Sequence, residues 1–348
     1  MKEGNVLRIL PCAATHKWSD NWRHGKEVGE LLTPFTFSNG IHLDEIRISY
    51  TLSGCLSGPV LAVLGGISAH KHVASTDHNL GWWESMVGSG KGIDSRRFMI
   101  IGMDFLAGAD GSSSALDLNA AAGKEVSVST SDQAWALKKV LDHIGVRKLD
   151  YLVGASFGGM VGLAFTALFP NRITSLICIS ASHESVPQAI ALRSIQRRVV
   201  RLGLETGTAS EALALARQLA MVTYRTPDEL NQRFDSGNTS AEDPKSIISY
   251  LEHCGSQFAD RFPVSSFLTL SEALDSHKVD PAQIKIPVHL IGIDSDLLVP
   301  FYQVASLARR IKGPVYLHKL SSLYGHDAFL KEVFTFSQLI KNILEKQS

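Results

Sequence analysis

Residues 151–163, YLVGASFGGMVGL, set Ser156 in a Gly-x-Ser-x-Gly turn between an apolar run and a segment of small, helix-forming residues. In such a turn a serine can act as a nucleophile. A sharp strand-to-helix turn lifts the hydroxyl above a sheet, and the helix that follows aims its N-terminal amides at developing negative charge. Gly154, Gly158 and Gly159 supply the conformational freedom and close backbone approach that the turn demands. The same letters also fit an ordinary serine in a glycine-rich turn, so the chemistry has to be tested elsewhere in the chain. A hydroxyl needs a base, and the base needs a carboxylate to orient it. Both stand downstream. The run IPVHLIGI (286–293) leads into DSDLLVP, with Asp294 and Asp296, and VYLHKL (315–320) leads into SSLYGHDAFL, with His326. Ser156, Asp296 and His326 therefore follow in the order Ser, Asp, His, each just after a predicted strand, where catalytic groups of open α/β sheets collect. Asp296 is preferred over Asp294, which follows its strand directly and points away from His326. Turn-forming aspartates and a helix-start histidine would explain the residues singly; their joint placement favours a triad.

An oxyanion would need two amides. Phe157, next after the serine, offers one, and the segment VLAVLGGISAHKH offers Gly65, Gly66 or Ile67 for the other, with Ile67 taken as the site residue. Other motifs carry less. His70 and His72, with His78 nearby, form an HxH pair without a further ligand cluster, so no metal is expected. GSGKG (88–92) lacks the Gly at Ser85 and the Ser or Thr at Gly92 that a phosphate loop would need. The four cysteines, Cys12, Cys55, Cys178 and Cys254, form no CxxC pair or zinc spacing and read as free thiols.

Apolar runs of strand length recur at 60–66, 97–104, 149–154, 173–180, 286–293 and 315–320. Most are continuously apolar, as in parallel strands covered on both faces by helices. Helices are predicted at 131–145, with Ser131 as N-cap and Gly145 as stop, at GGMVGLAFTALF before Pro170, and over DAFLKEVFTFSQLIKNILEKQ at the end. The alternation implies an α/β fold with a mostly parallel sheet. PFTFSNGIHLDEIRISYTLSG (34–54) alternates as an antiparallel edge hairpin. Between about 186 and 277 the strand-like runs stop and helical spacing takes over, which divides the chain into a core, 1–185 with 278–348, and an inserted helical lid, 186–277.

The 348 residues hold 34 Lys plus Arg and 34 Asp plus Glu, so no global field favours nucleic acid or anionic lipid. VLRILPCAA near the N-terminus is interrupted by Arg8 and is small for a secretion signal. No run of about 18 apolar residues is free of charge, so no membrane-spanning helix is expected. A cytoplasmic protein acting on small molecules is the expectation.

Several stretches resemble the homoserine O-acyltransferases of the α/β-hydrolase superfamily, over roughly residues 33–345. GWWESMVGSGKGID (81–94) and RFMIIGMDFLAGADGSSS look like that family's GWW segment and glycine-rich loop; ARQLAMVTYRTPDELNQRF (216–234) and residues 248–279 resemble its lid helices; IGIDSDLLVP and YGHDAFL resemble its Asp and His motifs. The resemblance implies the α/β-hydrolase fold, no bound cofactor, and a ping-pong reaction in methionine or sulfur amino-acid biosynthesis. Ser156 would take an acyl group from acyl-CoA, acetyl or succinyl, and pass it to the hydroxyl of homoserine or a similar amino alcohol. Arg197, or Arg198 if the match slips by one, would hold the acceptor's carboxylate and Asp327 its ammonium. The resemblance also implies a homodimer built through the lid helices. The chain departs from the family at GASFGGM, where GGSMGGM is usual, and at LGGISAHKH, where LTGD is usual, which turns attention to Ala155 and Phe157 as modifiers of the acyl pocket. A serine esterase or thioesterase, or a catalytically silent binding protein, are the other classes this scaffold serves.

Overall fold

The computed structural model describes residues 26–76, 79–235, 237 and 239–346. Cys12, the VLRILPCAA run and His78 lie outside the described residues. An eight-stranded sheet runs in the order β1 (Lys26–Thr36), β2 (His42–Gly54), β6 (Met99–Met103), β3 (Val60–Leu64), β7 (Leu149–Ala155), β8 (Ile173–Ile179), β9 (Val288–Ile293) and β10 (Val315–Leu320). β1 pairs antiparallel with β2, and β2 with β6, whereas every later pair is parallel. Two short strands, β4 (Val87–Gly88) and β5 (Ile93–Asp94), pair apart from it. All six apolar runs are strands, and the edge hairpin begins earlier than its alternation suggested, at Lys26.

Continuous apolarity is what a sheet buried on both faces requires, because successive side chains point to opposite sides. In β3, Leu61 and Val63 join one apolar cluster with Trp83, Phe336 and Ile340, while Ala62 and Leu64 join the other. That second cluster runs from the sheet through α2 (Thr130–His143) and α3 (Phe157–Leu168) into the inserted helices. At the sheet's edge β10 is only partly covered, with Tyr316 and Leu317 exposed.

Helix boundaries correct two readings. The N-cap of α2 is Ser129, not Ser131. Its hydroxyl accepts from the Asp132 amide while the Asp132 carboxylate accepts from the Ser129 amide, a reciprocal box that the following Ser131 cannot make. The C-terminal segment is not one helix. It divides into a 3₁₀ turn at Gly325–Asp327, α10 (Ala328–Lys331) and α11 (Val333–Lys346). Two helices are not among those expected: α1 (Ala115–Ala122), capped by Ser114, and α9 (Phe301–Arg310), which starts after Pro300 and buries Val304 and Leu307 on one face.

Between β8 and β9 lie α4 (Pro187–Thr206), α5 (Ala209–Tyr224), α6 (Pro227–Arg233), α7 (Ile247–Ala259) and α8 (Val264–Ser276). Val200, Leu213, Phe258, Phe267 and Leu270 of these helices belong to the same apolar cluster as the sheet, so the insertion is seated on the core through apolar burial. Among the described residues, no helix is long and apolar enough to cross a membrane.

Candidate active site

Ser156 occupies the turn between β7 and α3 at φ 53° and ψ −119°, a conformation that side-chain-bearing residues rarely adopt. The neighbouring glycines are needed for close approach. A Cβ on Gly154 would stand 2.3 Å from the Gly158 carbonyl oxygen, and one on Gly158 would stand 2.2 Å from the Leu64 carbonyl oxygen. The Gly158 amide donates to the Gly65 carbonyl at 2.7 Å, which pins the loop after β3 against the elbow. Ile67 on that loop lines both cavities that open onto Ser156. Phe157 is the first residue of α3, where amides have no intrahelical acceptor. Both backbone positions therefore suit an oxyanion.

The structure brings Ser156, His326 and Asp296 together. His326 Nε2 lies 2.9 Å from Ser156 Oγ, and Nδ1 lies 2.7 Å from Asp296 Oδ2. A carboxylate only accepts, so Nδ1 carries the hydrogen and Nε2 is left to accept the serine proton. Asp296 is itself fixed, since its Oδ1 accepts from the amides of Leu298 at 2.9 Å and Val299 at 3.0 Å. Asp294 is directed elsewhere and accepts from the Ser321 hydroxyl.

Burial pulls the His326 pKa down, but the charge and hydrogen bond of Asp296, then the charge of Asp327, outweigh it, and the net shift is upward from 6.5. A base must be unprotonated to accept. Activity should therefore rise with pH along a limb lying above 6.5, and Asp327→Asn, which removes one upward contribution, should move that limb to lower pH. The pH dependence of kcat/KM measures both; a limb that moves to higher pH in the variant would contradict this electrostatic reading.

Two cavities meet at Ser156 and His326. The smaller runs between sheet and lid past Met160, Arg193, Phe267, Leu298 and Val299. The larger contains Trp82, Arg217, Tyr224, Arg261 and Asp327. Asp327 is held by Arg225, whose Nε donates to Oδ2 at 3.0 Å.

Arg197 does not reach either cavity. Its Nη2 lies 2.6 Å from Asp275 Oδ2, and its Nη1 donates to Ser271, 2.9 Å from Oγ and 3.2 Å from the carbonyl, so α8 consumes its fork. Arg198 is exposed on α4. Two guanidiniums share a cavity with Asp327, those of Arg261 and of Arg217, the latter on α5 and positioned over the rings of Tyr224 at 5.3 Å and Phe258 at 4.9 Å. Arg217 forms no ion pair among the described residues. A usable signal existed in ARQLAMVTY: Arg217 and Tyr224 are seven apart, two helical turns on one face.

Ala155 and Phe157 are fully buried and line neither cavity. Ala155 joins one apolar cluster, whereas Phe157 packs edge-on against Phe105 with ring centroids 4.9 Å apart in the other. They do not shape the acyl pocket. His70 and His72 sit beside Lys71 and Asp110; the described residues include no group of three or more His, Cys, Asp or Glu able to hold a metal. GSGKG forms the turn between β4 and β5, with the Lys91 ammonium donating to the Glu84 carbonyl.

A strained serine after a central parallel strand, joined to histidine and aspartate from later strand ends, is the architecture of an α/β hydrolase. Correspondingly, the model of the alpha/beta hydrolase fold family matches residues 59–333. The homoserine O-succinyltransferase of Xanthomonas campestris pv. campestris is 38% identical over 86% of this chain and 79% of its own length. The serine O-succinyltransferase of Litchfieldella anticariensis is 32% identical over 92% of this chain and 98% of its own. The solved homoserine O-acetyltransferase of Staphylococcus aureus superposes with a TM-score of 0.80 at 25% identity, covering 92% of this chain and 95% of that one. The chain belongs to the homoserine O-acyltransferase family of α/β hydrolases and is an acyltransferase.

Proposed function

We propose that this chain transfers an acyl group from acyl-CoA to the side-chain hydroxyl of homoserine or a closely similar amino alcohol, through an ester on Ser156, as a step of methionine or sulfur amino-acid synthesis. Ser156 Oγ attacks the thioester carbonyl as His326 Nε2 takes the serine proton. The C–S bond then breaks, and the departing thiolate receives that proton as free thiol. In the second half the acceptor hydroxyl gives its proton to the same nitrogen and attacks the ester carbon. The bond to Ser156 Oγ breaks, and the serine recovers its proton from the imidazolium. The amides of Phe157 and Ile67 would stabilise both tetrahedral oxyanions, and Asp296 the imidazolium.

The observation that carries this reading is the presence of Arg217 and Asp327 in the cavity that also holds Ser156 and His326. Arg217, in no ion pair among the described residues, suits the carboxylate of an amino acid, and Asp327, beside His326, its ammonium. A simple ester substrate has no use for both. The discriminating experiment follows free thiol released from acetyl-CoA and succinyl-CoA with and without homoserine. Release is expected to depend on the amino alcohol, and equal release in water alone would make the protein a thioesterase. Arg217→Met is expected to raise the KM for the acceptor about 10- to 100-fold, the worth of a charge-assisted hydrogen bond, while Arg198→Ala on the exposed face of α4 is the control.

A further inference from the structure

The loop that carries the catalytic histidine leans on the inserted helices. Between α5 and α6 the chain passes through Tyr224, Arg225 and Thr226, and each of the three meets the 323–327 segment that holds His326. The Tyr224 ring lies 5.8 Å from the His326 ring, centroid to centroid. The Tyr224 carbonyl oxygen is so close to Gly325 that a Cβ there would stand 2.8 Å away, and Gly325 has φ 58°, so both space and conformation call for glycine. The Thr226 hydroxyl donates to the Leu323 carbonyl at 2.5 Å and accepts from the Glu229 amide at 3.0 Å, which caps α6. Arg225 supplies the remaining tie, with Nε 3.0 Å from Asp327 Oδ2.

Arg225 lines neither cavity at Ser156, and its side chain is 5% exposed. The guanidinium is fixed on its other sides, with Nη1 3.5 Å from Glu229 Oε1 and the Tyr324 ring 5.9 Å away. The two oxygens of Asp327 are thereby divided. Oδ2 is taken by Arg225, whereas Oδ1 accepts no hydrogen bond among the described residues and the side chain borders the larger cavity. A carboxylate tied through one oxygen to a buried guanidinium presents the other in one direction; untied, its terminal torsion is broad. Charge alone argues against an arginine here, because a cation beside Asp327 weakens its pull on an ammonium. Alignment is the gain that offsets it, since a displacement of about 1 Å at a reacting group can cost 10²-fold in rate.

We infer that Arg225 is a positioning residue for the second half of the reaction: it fixes the Asp327 carboxylate so that the acceptor, held by its ammonium, delivers its hydroxyl to His326 Nε2. This rests on the acyl-transfer reading above. Arg225 acts only through Asp327, so the junction of α5 and α6 governs discharge of the acyl-enzyme and leaves its formation alone.

The test times the two halves separately. Ser156 is acylated from succinyl-CoA or acetyl-CoA without acceptor and followed by intact-protein mass; the acyl-enzyme, freed of donor, is then mixed with homoserine and its discharge followed in the same way. Arg225→Met is expected to acylate at the native rate, while discharge at saturating homoserine falls about 10- to 100-fold. Arg225→Lys should recover part of that loss, since a lysine keeps the charge without the fork. Glu229→Gln loosens the same cluster but spares the bond to Asp327, so both of its rates should stay native. In an Asp327→Asn background Arg225→Met should cost nothing further, because two residues acting through one contact are not additive. Equal slowing of both halves by Arg225→Met, or losses that multiply in the double variant, would overturn the inference. Should Arg225→Met fail to fold, Arg225→Lys carries the same comparison: slowed discharge with native acylation supports the inference, and equal slowing overturns it. The transferase reading fails on a different observation, native acyl-enzyme discharged by water as fast as by homoserine, and the role of Arg225 would fall with it.

Discussion

Ser156→Ala is expected to abolish the acyl-enzyme and to lower kcat by about five to six orders of magnitude, as removal of a nucleophilic serine does in a hydrolytic triad. The effect should be chemical and not a loss of fold. Among the described residues the side chain of Ser156 is bonded to His326 Nε2 alone, and the chain already accepts an alanine at positive φ, Ala107 at 63°. The amide donors at Phe157 and Ile67, together with substrate binding, would survive, leaving a residual acceleration of about 10³ to 10⁴ over water. Other hydroxyls face the same space, notably Ser185, Ser271 and Tyr224. None of them has a bond to His326, so none should take over. Intact mass after incubation with donor reads the result. An adduct that persists in Ser156→Ala would place the nucleophile elsewhere.

The residues that perform the chemistry were readable because each is tied to an element with a strong pattern. Ser156, Asp296 and His326 all follow strands whose apolar runs are unbroken, and parallel strands must deliver their carboxyl ends to one side of the sheet. The order of the runs thus implied a shared edge, and the distances of 2.9 Å and 2.7 Å close it. The lid gave no comparable anchor. Arg193, Arg197, Arg198 and Arg201 crowd one helix, and which of them turns inward depends on how α4 is rotated against α8. Asp275, which captures Arg197, is 78 residues away in the chain, and no local pattern announces the competition. Arg217, a single arginine among Ala, Gln and Leu, has the local pattern of a solvated helical position, and Asp327, which lines the same cavity, comes from beyond β10. Ala155 and Phe157 illustrate a related limit. Residues adjacent to a nucleophile in sequence alternate in direction around the elbow, and here both enter the core on opposite faces of the sheet while the substrate space is built by distant loops and helices.

Asp296→Asn should lower kcat by about 10⁴ while leaving the fold and the geometry in place. The substitution is nearly isosteric, and the carbonyl oxygen of the new amide can go on accepting from Leu298 and Val299, which hold the carboxylate at 2.9 Å and 3.0 Å. That constraint directs the amide nitrogen toward His326 Nδ1. A donor there requires Nδ1 to be the acceptor, so the ring hydrogen moves to Nε2, where it meets Ser156 Oγ and prevents the ring from taking the serine proton. Loss of the negative charge also removes the largest upward contribution to the His326 pKa, leaving burial to pull it down. The remaining activity should therefore show its ascending pH limb at lower pH than in the native protein, a change opposite to that expected from mere loosening of the site. Asp294→Asn supplies the comparison and should cost little, because among the described side chains that carboxylate meets only Ser321. If Asp294→Asn proves the more damaging of the two, the orienting carboxylate has been misassigned and the geometry around His326 is not the one that works in catalysis.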